Sequence, residues 1–281
     1  MSAVDPGTAS AVPPAADRLL IALDVDGTVL TEAGELRADA AAAVARLRDA
    51  GHEVMLATGR GVALTLPVLD RLLIAPRFVV CANGAITLER DPDAPLGYRR
   101  RWVETFDPTA VLRRIRPYLE QATYVVEDAE GEQLYVGQLP DVALDAASRR
   151  VRFDELLHRQ ATRVVVMSED HTADEFIGLV DEMGLDHVSY NVGWAAWLDI
   201  APQGVTKATG LERARRSLGV PLANLVAIGD GRNDIEMFGW AGAAGRAIAM
   251  GQAPEEVRAA AGEITYADVD GGLAHALAML G

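Results

Sequence analysis

The stretch "LLIALDVDGTVL", residues 19–30, decides the reading of the chain. Its apolar half has the length and composition of a buried strand, yet it ends in Asp24 and Asp26, one residue apart. Burying charge without a partner is expensive, so the strand must deliver these carboxylates to something that needs them. Side chains two apart on a strand share a face, so both can reach one small volume. Two like charges about 4 Å apart repel by roughly 4 kcal/mol at an effective dielectric of 20.

Further along, "LRADAAAAVARLRDAG" (36–51) has helical spacing closed by Gly51, and "EVMLAT" (53–58) is strand-like again. "VALTLPVLDRLL" (62–73) is helical, with Pro67 expected to displace its start, and "RFVVCANG" (77–84) is a third strand. Strands separated by helices of this size imply right-handed βαβ units and a parallel sheet. From about Leu88 the strands become more polar: "YRRRWVET", "TYVVED", "EQLYVG", "TRVVVMS" and "HVSYNV". Helices are expected at 107–121 and 172–184, the second opening with a capping box of Thr172 and Glu175. From Gly204 the first rhythm resumes, with a helix over "GVTKATGLERARRSLGV", a strand at 225–230 and another at 246–250. The expected architecture is an α/β, parallel-sheet, Rossmann-like core (18–87 and 193–281) interrupted by an α+β insert (88–192). Residues 1–17 are expected to be a disordered tail without the features of a secretory signal.

Composition narrows the function. The 281 residues carry 26 basic and 41 acidic side chains, a net charge of −15. That balance argues against a nucleic-acid surface or an anionic membrane as partner, and no apolar run approaches the roughly 18 residues of a membrane span. The one cysteine, Cys81, excludes an internal disulfide, fits a reducing cytoplasm and reads as a small core residue. The five histidines are scattered without metal-ligand spacing. The "RRR" run at 99–101 reads as a solvated strand face ahead of a contact with an anionic substrate, and Trp194 and Trp197 as packing where the chain re-enters the core ahead of lining a substrate cleft.

In an open parallel sheet, sites form at the carboxyl ends of strands. That rule gathers Asp24 and Asp26, the triplet Thr58-Gly59-Arg60, the run "GDGRND" (229–234) and Lys207 on one rim. A lone Asp-x-Asp-Gly is more often a solvated turn, but four such clusters at strand ends outweigh that reading. Asp230 adds a third carboxylate. An all-oxygen set without a His or Cys ligand group points to Mg2+.

"DVDGT", "ATGR", Lys207 and "GDGRND" resemble the four motifs of the haloacid dehalogenase-like hydrolases, in their usual order. The cap position, "CANGA" (81–85) and "AMGQAPEEVRAAAGEIT" (249–265) are similar to the Cof-type subfamily with a large α/β cap. The resemblance implies a phosphatase in which Asp24 attacks phosphorus and forms an aspartyl-phosphate, while Asp26 serves as acid and then base. It implies Mg2+ held by Asp24, Asp230 and the backbone carbonyl of Asp26. Lys207, the Thr58 hydroxyl, the Gly59 amide and Asn233 would cradle the phosphate, with Asp234 orienting Lys207 or a metal water. Arg60 would reach the substrate or pair with the acidic cluster, and Asn83 would contact substrate beside the cap. Gln252 stands where the subfamily often has Asn, and Arg258 replaces a frequent Lys. The expected substrate is a small phosphorylated metabolite, a sugar phosphate first and a cofactor-type phosphate second. The alternatives are a phosphohexomutase-like phosphotransferase, which needs a second basic pocket in the cap, and a non-enzymatic phospho-aspartate signalling module. Nothing in the sequence points to a particular oligomeric state.

Overall fold

A computed structural model of the chain describes residues 18–138, 148–185, 188–192 and 196–280. The readings of residues 1–17, His187 and Trp194 therefore lie outside the described residues. The opening apolar run forms β1 (Leu20–Leu23), followed by α1 (Ala38–Asp49), β2 (Glu53–Leu56), α2 (Val62–Leu72) and β3 (Phe78–Cys81). Pro67 does not displace the start of α2. One lost backbone hydrogen bond is tolerated because Val62, Thr65, Val68, Leu69 and Leu72 are buried along that helix. After a single 3-10 turn at Ala82–Gly84, the chain reverses into β4 (Ile86–Arg90) and β5 (Tyr98–Val103).

Strand β4 crosses the boundary expected at residue 88, and β5 lies beyond it. They pair antiparallel as β3-β4-β5, while β3 itself bridges to the end of β2 through Ala57 and Val80. Ile86 and Leu88 are buried in the same cluster as Ile21 and Leu56, which ties the hairpin to the core. The Arg99–Arg101 run lies exposed on β5, with Arg99 and Arg101 facing Glu89.

The next elements are α3 (Thr109–Ile115), β6 (Thr123–Glu127), β7 (Gln133–Val136), β8 (Ser148–Arg150), β9 (Arg163–Met167), α4 (Ala173–Met183), β10 (Val188–Val192) and β11 (Trp197–Pro202). They make a six-stranded sheet in the order β10-β11-β9-β6-β7-β8. Helix α3 is shorter than the 107–121 expected, and Pro117 follows just beyond its end. Helix α4 begins with the expected box, the Thr172 hydroxyl accepting from the Glu175 N–H and the Glu175 carboxylate from the Thr172 N–H. Strand β11 lies past the second expected boundary, at residue 193, yet belongs to the cap sheet. It pairs with β9 and β10, and its Leu198 and Ile200 enter the cap's own apolar core beside Tyr124, Val164 and Phe176.

The chain then returns through α5 (Lys207–Leu218), β12 (Leu225–Gly229), α6 (Ile235–Gly242), β13 (Arg246–Ala249), α7 (Glu255–Ala260), β14 (Glu263–Ile264) and α8 (Gly272–Ala278). The core sheet is parallel and ordered β14-β13-β12-β1-β2. One face packs Ile21, Leu23 and Leu56 against α1, α2 and α8; the other packs Leu20, Ala22 and Met55 against α5, α6 and α7. From β1 the chain steps outward to β2 and returns on the other side at β12. The strand order therefore switches between β1 and β12, the place where open α/β sheets bind ligands. Cys81 is fully buried and burial pushes its thiol up to about 12, as suits a core residue. Among the described residues, no helix is long and apolar enough to cross a membrane.

Candidate active site

Asp24 and Asp230 leave the two strands that flank this switch point. The Asp24 N–H still donates to the Ile228 carbonyl at 2.9 Å, so Asp24 extends the β1–β12 pairing by one step. Gly27 lets the following turn close over the site. Its φ is 76°, and a Cβ there would lie 2.2 Å from Asp230 Oδ2. The Thr28 hydroxyl donates to Asp230 Oδ1 at 3.0 Å.

Lys207 opens α5 and is fully buried. Its ammonium donates to Asp24 Oδ1 at 2.6 Å and to Asp234 Oδ1 at 2.7 Å. The second oxygen of Asp234 accepts the backbone N–H groups of Asp230 (3.0 Å) and Gly231 (2.9 Å). Asp234 thus fixes both the lysine and the loop that carries Asp230.

Burial is the dominant electrostatic effect. It pushes the Asp24 carboxyl up to about 7, with Lys207 opposing it. It pushes Asp230 up to about 9, with the charges of Asp24 and Asp234 adding to the rise. Burial works against the charge on Lys207 too, but Asp234 and Asp24 outweigh it and hold its pKa above the ordinary lysine value. With all groups ionised, three buried carboxylates face one ammonium, an excess of two negative charges. That is the charge of one divalent cation. Carboxylate oxygens of Asp24, Asp230 and Asp234 all lie within 4.8 Å of one another, and no histidine belongs to the group. Asp234 already uses both oxygens on protein donors, which leaves Asp24 and Asp230 as the side chains with capacity to hold the ion. The donor set fits Mg2+.

The remaining expected residues stand around this centre. Asp26 is exposed, and Arg60 grips both of its oxygens, with Nε on Oδ2 at 2.9 Å and Nη2 on Oδ1. Of the two readings of Arg60, the structure therefore contains the ion pair. Thr58 is buried and its hydroxyl oxygen accepts the Arg60 N–H at 3.1 Å. Gly59 lies beside Asn83, where a Cβ would come within 3.2 Å of the amide oxygen. The Asn83 side chain is committed to protein partners: its nitrogen donates to Asp199 Oδ2 at 3.1 Å, and its oxygen accepts from Asn233 at 3.0 Å. Gln252 joins the site's outer wall, donating to the Gly27 carbonyl at 2.6 Å and accepting the Asp268 N–H at 3.0 Å.

The chain matches the family model of the haloacid dehalogenase-like hydrolases over residues 21–100 and 118–277. It belongs to that family. The hydrolase is 27% identical to phosphatase YwpJ of Bacillus subtilis (strain 168), over 91% of this chain and 97% of that protein. It is 26% identical to the 5-amino-6-(5-phospho-D-ribitylamino)uracil phosphatase YitU of the same organism, over 92% of this chain and 96% of that one. Among solved structures, a sugar phosphatase of subclass IIB of the family superposes with a TM-score of 0.76 at 21% identity, covering 93% of this hydrolase and 98% of the other chain. That likeness is one of fold.

Sequence reasoning passed over Thr28 as a site residue, and over Glu127, Arg163 and Asp199 altogether. The last three are strand residues of the cap that sit buried or nearly so beside the core loops. The signal that singled out Asp24, a charge inside an apolar run, is also present in "VVED" (125–128) and "WLDIA" (197–201).

Proposed function

We propose that this hydrolase is a Mg2+-dependent phosphatase that cleaves a small phosphomonoester through an aspartyl-phosphate on Asp24. The observation that carries this reading is the buried Lys207 ammonium bridging Asp24 and Asp234 beside Asp230. Lys207 holds one oxygen of Asp24, so the other is oriented toward an incoming phosphorus atom. Attack by that oxygen forms the Asp24–phosphorus bond as the bond to the leaving alcohol breaks. Asp26 delivers a proton to the leaving oxygen, and takes one from the water that then frees phosphate and restores Asp24. Arg60 has to yield at least one oxygen of Asp26 for that proton transfer. Asp24, Asp230 and the Asp26 backbone carbonyl would hold Mg2+. When bound, the ion supplies positive charge that lets an anionic nucleophile approach an anionic phosphoryl group. Lys207, the Thr58 hydroxyl and the Gly59 amide receive the phosphoryl oxygens.

A cap seated on the core favours a small substrate and excludes bulk water. Of the relatives named above, YitU is named as a phosphatase of a phosphoribityl-substituted pyrimidine. That favours a phosphorylated sugar-like alcohol for this chain. The test is phosphate release from p-nitrophenyl phosphate with Mg2+, followed by a panel of phosphorylated metabolites. Activity that EDTA abolishes and Mg2+ restores supports the reading; equal phosphate release in EDTA overturns it.

A further inference from the structure

Asp199, a carboxylate of the cap, bonds Asn83 on the core rim. Along β11, Leu198 and Ile200 enter the cap core, so Asp199 and Ala201 take the opposite face, and Ala201 packs with the core cluster. The guanidinium of Arg163 on neighbouring β9 clamps Asp199 with two hydrogen bonds of 2.9 Å, and the pair is nearly buried. Asp199 has therefore little freedom, and its Oδ2 sets the direction of the Asn83 amide nitrogen. That leaves the Asn83 oxygen facing Asn233, next to the Asp234 that holds Lys207. Asn83 has a left-handed backbone (φ 51°), as does Ala82 before it (φ 49°), so this turn is held in a conformation that most residues avoid. On the other side of Arg163, the carboxylate of Glu127 sits against Gly61, where a Cβ would lie 2.8 Å from either oxygen. The cap floor is thus fitted to the two core turns that follow β2 and β3.

We propose that Asp199 is a positioning residue for the reaction: clamped by Arg163, it orients Asn83 and through it Asn233, so that the phosphate-facing rim is complete only when the cap is seated. This inference rests on the phosphatase reading. A neutral Asp199→Asn variant keeps the volume and one acceptor, and Asn83→Gly removes the side chain while suiting the left-handed backbone. If Asp199 acts through Asn83, Asp199→Asn lowers kcat for p-nitrophenyl phosphate with Mg2+ by about tenfold or more, the scale of one hydrogen bond to a charged group. The same substitution made in the Asn83→Gly background then lowers kcat no further. Hydrogen exchange of residues 80–86 speeds up in Asp199→Asn whatever the activity. A kcat within twofold of wild type, an undiminished effect in the Asn83→Gly background, or unchanged exchange each overturns the proposal. A wild type without Mg2+-dependent phosphate release, together with faster exchange in the variant, fells the phosphatase reading and leaves the Asp199–Asn83 contact standing.

Discussion

Lys207 Nζ lies 2.6 Å from Asp24 Oδ1, a contact between residues 183 positions apart that is buried from solvent. The lysine comes from the first turn of a helix and the aspartate from the end of a strand. Their meeting needs the sheet, the return from the cap and the packing of α5 on the turn at 82–84. There Gly84, with φ 98°, admits the Thr206 carbonyl, which would lie 2.1 Å from a Cβ.

Asp24→Asn removes the anionic nucleophile while keeping the shape. Turnover is expected to fall by about 10⁴-fold or more, measured as inorganic phosphate released under saturating Mg2+. Wild-type turnover in this variant rejects the nucleophile.

Lys207→Met leaves Asp24 and Asp234 buried without their ammonium. Breaking a buried pair in this way costs about 3–5 kcal/mol, so urea denaturation in EDTA should show a loss of that order. Lys207→Arg is expected to recover little, because a planar fork does not fit where a point charge sits between two carboxylates.

Asp26→Asn separates acid catalysis from phosphoryl transfer. The loss should be about 10²- to 10⁴-fold for an alkyl phosphate and smaller for p-nitrophenyl phosphate, whose leaving group needs no proton. Phosphoenzyme on Asp24 should still form with the better leaving group, as intact-protein mass spectrometry would reveal. Equal losses on both substrates would remove Asp26 from the acid role.

Metal binding should depend steeply on pH. In the metal-free protein, burial holds the carboxyls of Asp24 and Asp230 up to about 7 and about 9, against 3.8 for an ordinary aspartate. The folded state then keeps protons that the unfolded chain has lost. This contribution is full below about 4 and disappears as pH rises through about 7 for Asp24 and about 9 for Asp230. Thermal stability in EDTA should therefore fall across that range. A cation takes the place of the protons, so Mg2+ should bind more tightly as pH rises and release protons on binding. Calorimetry in buffers of different ionisation enthalpy measures that release, and zero release at pH 7 contradicts it.

Much of this was legible in residue order. The strand runs at 19–24, 53–58 and 225–230 announced themselves by apolar content, and their polar ends placed Asp24, Thr58 and Asp230 on one rim. The box of Thr172 and Glu175 gave the start of α4 for the same reason: its signals lie within one turn of chain. Strand partnership is different, because a strand's pattern says which face is buried but not which neighbour lies beside it. Only the folded chain assigned β4 and β5 to the edge beside β3, and β11 to the cap. Likewise the grip of Arg60 on Asp26 and the bond from Asn83 to Asp199 join residues 34 and 116 positions apart. Local spacing carries no information on such pairs, since three-dimensional packing alone decides which charges and amides come within hydrogen-bonding reach.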